Sequence, residues 1–236
     1  MIRRRKETGT DRFKTMGNVF DFHTEAAIFK LMSEGHLDGL ESPLSIGKEA
    51  NIFTAWKAGK RIIVKIYRLE TCDFNKMFDY IRYDTRYLGL KKRKRTVIFS
   101  WCQREFRNLL KAREANVRAP TPLTFKDNLL VMEFIGDNDA APKLKDQYPK
   151  DPKKFYDSLV RYVRNFYKAG LVHGDLSEFN ILNYNDEPVL IDFSQASPLR
   201  SANSEELLER DIKNINRFFS KIGVKVNEDL KKHITS

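Results

Sequence analysis

The feature that most constrains this chain is the run Leu171-Val172-His173-Gly174-Asp175-Leu176-Ser177-Glu178-Phe179-Asn180-Ile181-Leu182, followed at hairpin distance by Val189-Leu190-Ile191-Asp192-Phe193. Short apolar stretches here end in three oxygen-bearing side chains, Asp175, Asn180 and Asp192. Taken singly, each has an ordinary role. Asp175 could cap a helix or close an Asx turn, Asn180 could fill a turn, Asp192 could end a strand, and His173 could be a buried histidine bonded to backbone. Together, H-G-D-x-x-x-x-N and a following apolar I-D-F fit independent turn chemistry poorly. They fit phosphoryl transfer, which needs a carboxylate to orient the attacking hydroxyl or water and hard oxygen ligands to neutralise charge on the transferred phosphate.

The upstream half supplies what a nucleotide would need. Lys65 lies near the end of the β-branched run Arg61–Tyr67, where an unpaired buried ammonium would be costly. A helix marked by Phe99, Cys102, Phe106, Leu109 and Leu110, running to about Glu114, offers Glu105 as partner. Read alone, Lys65 could be a surface strand residue and Glu105 a solvent-facing one. The strand expected over Asn128–Ile135 contains Met132-Glu133-Phe134-Ile135. Its backbone could bond an adenine edge at Glu133 and Ile135, or the segment could simply be core. Ser45-Ile46-Gly47-Lys48-Glu49-Ala50-Asn51 could cover phosphates, although it carries one glycine where the usual kinase loop has three.

The remaining elements follow from periodicity. A short helix begins at Thr24 and stops at Gly35, and Ser45–Trp56, around a turn at Gly47–Asn51, and Arg61–Tyr67 read as strands of a small sheet. Residues 69–95, polar, aromatic and ending in the cations Lys91 to Arg95, read as an exposed flexible insertion, either a solvated loop or an RNA- or substrate-contacting one. A helix follows over 153–169, then strands Ile181–Asn183 and Val189–Phe193, then a helix from about Ser204 to Ser220. Residues 1–20 read as a mobile basic arm.

Lys plus Arg number 43 against 32 Asp plus Glu, a formal charge of +11, which favours an anionic partner. No run approaches the roughly 18 apolar residues of a membrane span, so no membrane partner is expected. Cys72 and Cys102 support neither a disulfide framework nor a zinc cluster, and a cytoplasmic location is expected.

At these residues the chain resembles the RIO family of atypical protein kinases, and within it the Rio1 type. The resemblance rests on Ser45 with Gly47-Lys48-Glu49-Ala50-Asn51, on His173 to Asn180, on Ile191-Asp192-Phe193-Ser194-Gln195, and on Glu206 to Ile215, and it extends from about residue 20 onward. It implies an α+β, truncated two-lobed protein-kinase-like fold. A helix and a small, mostly antiparallel sheet lobe would occupy 21–136, and a reduced helical lobe 137–236.

It also implies Mg²⁺ and ATP, with Mn²⁺ as a substitute metal, and serine/threonine kinase or ATPase activity in late maturation of the small ribosomal subunit. The implied partners are a pre-small-subunit particle or rRNA, and autophosphorylation is implied as well. Asp175 would orient the nucleophile, Asn180 and Asp192 hold the metal, and Asp192 carry phosphate transiently. Lys65, steadied by Glu105, would grip the α/β-phosphates, and Ser45 would help close the phosphate loop.

Ile46 departs from the family's usual Thr. Gly174 stands where many kinases have an Arg, and no Ala-Pro-Glu follows Asp192, so no ordinary activation segment is expected. Two alternatives remain. One is a nucleotide-gated RNA-binding module in which hydrolysis only times release. The other is a small-molecule phosphotransferase, disfavoured because too little chain follows Asp192 for its acceptor pocket.

Overall fold

Strand periodicity explains why one face of the sheet becomes a site. The computed structural model describes residues 20–236, so the arm expected over 1–20 lies, except for Phe20, outside the described residues. Strands β1 (Gly39–Ile46), β2 (Ala50–Lys57), β3 (Lys60–Tyr67), β4 (Pro122–Lys126) and β5 (Leu129–Glu133) form an antiparallel sheet in the order β1-β2-β3-β5-β4. In β3, Ile62, Val64 and Ile66 pack with Ala27, Ile28 and Leu31 of helix α1 (Phe22–Ser33) on one face. Ile63 and Tyr67 join the other core cluster, which includes Val97, Trp101 and Leu109 of helix α3 (Lys94–Glu114). Because side chains alternate with period two, Lys65 falls on the α3 face.

The region expected as an exposed insertion is folded. Helix α2 (Phe74–Ile81) and a 3₁₀ turn at Thr85–Tyr87 occupy it, and Met77, Ile81 and Tyr87 are buried in the main core. Asp73 caps α2 by accepting the Lys76 N–H at 3.1 Å. The spacing Phe74, Met77, Phe78, Ile81 is a helical stripe that the surrounding charge concealed. The cationic run is divided, since Lys94 and Arg95 open α3 rather than extending a loop.

Other boundaries move for local reasons. The turn expected at Gly47–Asn51 within Ser45–Trp56 is present, with β1 ending at Ile46, and β2 starts slightly earlier, at Ala50. Gly47 donates to the Ala50 carbonyl at 3.1 Å, and a Cβ on Gly47 would stand 2.9 Å from that oxygen. Strand β4, with Pro122 as its one buried residue, lacks the alternation that would have revealed it.

In the second half, helix α4 (Pro152–Lys168) has Pro152 in its first turn and is capped by Asp151, which accepts the Lys154 N–H at 3.0 Å. Strand β6 (Leu171–Val172) pairs with β9 (Ser197–Pro198), and β7 (Ile181–Tyr184) with β8 (Glu187–Leu190). Asn185 and Asp186 turn the β7–β8 hairpin at positive φ of 55° and 60°. Strand β8 stops at Leu190 rather than Phe193, which frees Asp192 from the ladder. Helix α5 (Ser204–Lys221) follows, and α6 (Leu230–Thr235), not expected, buries Leu230 and Ile234 against the same core. Among the described residues no helix is long and apolar enough to cross a membrane.

Candidate active site

Three elements converge on Lys65. Helix α3 buries Trp101, Glu105, Asn108 and Ala112, a stripe at helical spacing, and so carries Glu105 beneath β3. Lys65 Nζ donates to Glu105 Oε1 at 2.8 Å and to Asp192 Oδ1 at 3.0 Å. The second oxygen of Glu105 accepts the Tyr67 hydroxyl. The Lys65 and Glu105 side chains are 8% and 1% exposed, whereas that of Asp192 is 39% exposed and so faces the open side of the cluster.

The charges decide one another's state. Burial opposes charge on Lys65, but the Asp192 and Glu105 carboxylates outweigh it and hold the ammonium above the ordinary lysine range. Burial likewise raises Glu105, against the pull of Lys65. Burial would also raise Asp192, yet the Lys65 charge and the bonds from Ser194 and Lys65 keep it at about 2, so it stays ionised.

Asp192 adopts a left-handed conformation, φ 61° and ψ 67°, unusual outside glycine and tolerated best by Asn and Asp. It is held there from both sides. Ser194 Oγ donates to Oδ1 at 2.7 Å. Asn108 Nδ2 donates to the carbonyls of Phe193 and Ala196, each at 2.9 Å, and Arg104 binds the Ser194 carbonyl and, at 2.9 Å, Ser197 Oγ. Arg104 also donates to Asp84 at 3.1 Å, and so ties the 69–95 segment to the turn that carries Asp192.

The loop carrying Asp175 is gripped by α5. Asp211 accepts the N–H groups of Gly174 at 2.7 Å and Leu176 at 2.8 Å, the two neighbours of Asp175. Arg210 donates to the Gly174 carbonyl, and Asn214 to that of Leu176 at 3.1 Å. Gly174 has φ 76°, and a Cβ there would stand 3.0 Å from the Gln195 carbonyl, which explains glycine at this position. Asn180 Nδ2 donates to the Asp175 carbonyl at 2.8 Å and to Oδ2 at 3.1 Å, so these two predicted residues are in contact. Burial, reinforced by the charge of Asp192, raises the Asp175 carboxyl. Its Oδ1, together with Asn180 Oδ1 and Asp192 Oδ2, has no hydrogen-bond partner among the described residues. Hard oxygens left open in this way suit Mg²⁺.

The other predicted residues are placed differently. Glu133's carboxylate is engaged by Arg118 at 2.9 Å and by Thr121 Oγ1 at 2.7 Å, and its N–H donates to the Thr121 carbonyl at 2.8 Å. These bonds outweigh burial and hold the carboxyl at about 2. The Ile135 carbonyl accepts the Ala141 N–H at 2.9 Å, while its own N–H has no partner among the described residues. Ser45 is exposed on β1 and makes no side-chain hydrogen bond to the cluster. Sequence reading missed Tyr67, Arg104, Asn108 and Asp211. The available signal was a polar or charged residue at a core-facing helical position, as Asp211 is between Leu208 and Ile215.

A sheet lobe with a buried Lys–Glu pair, facing a helical lobe that presents the Asp175–Asn180 loop and the Asp192 turn, defines a protein-kinase-like phosphotransferase. The RIO domain family matches residues 51–232. The RIO-type serine/threonine-protein kinase Rio1 of Haloferax volcanii is 41% identical over 221 residues, covering 93% of this chain and 76% of that protein. Rio1 of Methanocaldococcus jannaschii is 42% identical over 225 residues, covering 94% and 77%. The human serine/threonine-protein kinase RIO1 is 33% identical over 94% of this chain, which spans only 42% of that protein. The fold is shared with the Rio2 kinase of Chaetomium thermophilum in its ADP/Mg²⁺-phosphoaspartate complex. The TM-score is 0.70 at 24% identity, over 89% of this chain and 64% of that one. The chain belongs to the RIO family, and it is an ATP-dependent phosphotransferase.

Proposed function

We propose that this chain takes the γ-phosphoryl group of ATP onto Asp192 and passes it to a serine or threonine hydroxyl or to water, acting as kinase and ATPase. The observation that carries the reading is the division of labour at Asp192. Its Oδ1 is fixed by Lys65 and Ser194, its Oδ2 has no hydrogen-bond partner among the described residues, and the preceding Ile191 N–H donates to the Asn180 carbonyl at 3.0 Å. Bound Mg²⁺, held by Asn180 and Asp192, would neutralise charge on the β- and γ-phosphates. Lys65, kept charged by its carboxylates, would meet the α/β-phosphates, and the Ile135 N–H would meet the adenine edge.

When Asp192 is the acceptor, a bond forms from its carboxylate oxygen to phosphorus and the bond to the bridging oxygen of ADP breaks. A water oriented by Asp175 then cleaves the acyl phosphate, its proton going to Asp175. The phosphoaspartate in the Rio2 complex of shared fold supports the same chemistry here. We place this activity in the cytoplasm, in late maturation of the small ribosomal subunit, on a pre-ribosomal particle or its rRNA. The exposed cations at 91–95 favour, as a second reading, a nucleotide-gated RNA-binding module.

The test is protein incubated with Mg²⁺ and γ-labelled ATP and then treated with hydroxylamine. Label released by hydroxylamine and absent from Asp192→Asn supports the acyl phosphate. Label stable to hydroxylamine and retained in that variant places phosphate elsewhere.

A further inference from the structure

Helix α4 turns its apolar residues Phe155, Leu159, Val163 and Phe166 to the core and a cationic stripe the other way. Arg161, Arg164 and Lys168, one and two turns apart, line a cavity of about 290 Å³ with Asn165 and with His233 of α6. None of these residues belongs to the phosphotransferase site. Arg164 Nε is buried without a hydrogen-bond partner, and Arg164 and Lys168 make no ion pair among the described residues. Arg161 has only a 3.4 Å contact with Ser158 Oγ and the ring of Tyr162. The carboxylate on the wall, Asp157, is neutralised by Lys153 at 2.5 Å. The cavity therefore gathers positive charge with no free carboxylate on its wall.

We infer that this cavity binds a small phosphate-bearing anion of the oligophosphate class, such as pyrophosphate. Guanidinium forks match phosphoryl oxygens in geometry, and two of them with one ammonium line the same cavity. Three cations on one groove favour an anion carrying more charge than a single phosphoryl group. A groove of about 290 Å³ bounded by α4 and α6 favours a compact ligand over an extended strand. The inference does not depend on how the phosphotransferase site works.

The experiment is calorimetric titration of pyrophosphate into the full chain with the nucleotide site saturated by ADP. Saturable binding is expected, weakened by about tenfold or more in Arg164→Gln and in Lys168→Gln, each variant retaining ATP turnover. Lys168 is exposed, so its replacement tests the site even where Arg164→Gln perturbs folding. Lys65→Met should leave pyrophosphate binding intact. Binding unchanged in both α4 variants, or lost in Lys65→Met, overturns the inference. So does an affinity for single-stranded oligonucleotides that grows with their length and exceeds that for pyrophosphate.

Discussion

Lys65 and Glu105 form a buried ion pair, Nζ to Oε1 2.8 Å, that joins the middle strand of the sheet to α3. Such a pair adds little net stability over apolar residues of similar size, yet removing one partner strands the other charge at a cost of about 3–5 kcal/mol. Lys65→Met is therefore expected to lower stability by that order and to abolish ATP turnover. The double variant Lys65→Met/Glu105→Leu should regain most of the stability and none of the turnover. Urea denaturation of the three proteins measures this, and a double variant no more stable than Lys65→Met would contradict it.

Asp211 should matter through the loop it grips. Asp211→Ala leaves the Gly174 and Leu176 N–H groups buried without acceptors, at about 1–3 kcal/mol each. Because the loop carries Asp175, kcat is expected to fall while the KM for ATP stays nearly constant. A loss confined to KM would place Asp211 at the nucleotide instead.

The turn after Asp192 depends on Asn108. Asn108→Ala removes donors from two buried carbonyls, and a loss of about 2 kcal/mol is expected from chemical denaturation. A variant within 0.5 kcal/mol of wild type, about the range of ordinary surface changes, would show that this turn is held by other contacts.

His173 is expected to make the fold acid-sensitive. It is buried, donates from Nε2 to the Ile191 carbonyl at 3.2 Å, and its pKa is lowered by burial to about 4 from 6.5. The unfolded chain thus binds this proton first. The contribution is complete above pH 6.5 and is lost as pH falls toward 4, by about 3 kcal/mol. Asp211, raised by burial to about 7, works in the opposite sense over the same range, so the comparison must be with His173→Phe, which keeps Asp211. The stability difference between wild type and variant should shift against wild type between pH 6.5 and 4. A pH-independent difference would contradict the assignment.

The sequence made legible the residues that the fold brings together in the candidate site. Asp175 and Asn180 lie five apart on one loop, and Lys65 sits on a strand whose alternation puts it on the α3 face. It concealed contacts made by distance in the fold. Arg104 and Asn108 look like surface helix residues until the chain after Asp192 returns to α3, 85 or more positions later. The 69–95 segment misled because its cations dominate its composition, while a few apolar residues at helical spacing and the buried Asp84–Arg104 pair fix its structure.

The central claim is that Asp175 and Asp192 act together on Mg-ATP. The most direct measurement is release of labelled phosphate, free and protein-bound, from γ-labelled ATP and Mg²⁺ by wild type, Asp175→Ala and Asp192→Asn, each first shown to be folded. Turnover by wild type and its loss in both variants is the expected result. Turnover that persists in either folded variant, or a wild type that binds ATP and transfers no phosphate, would contradict the account.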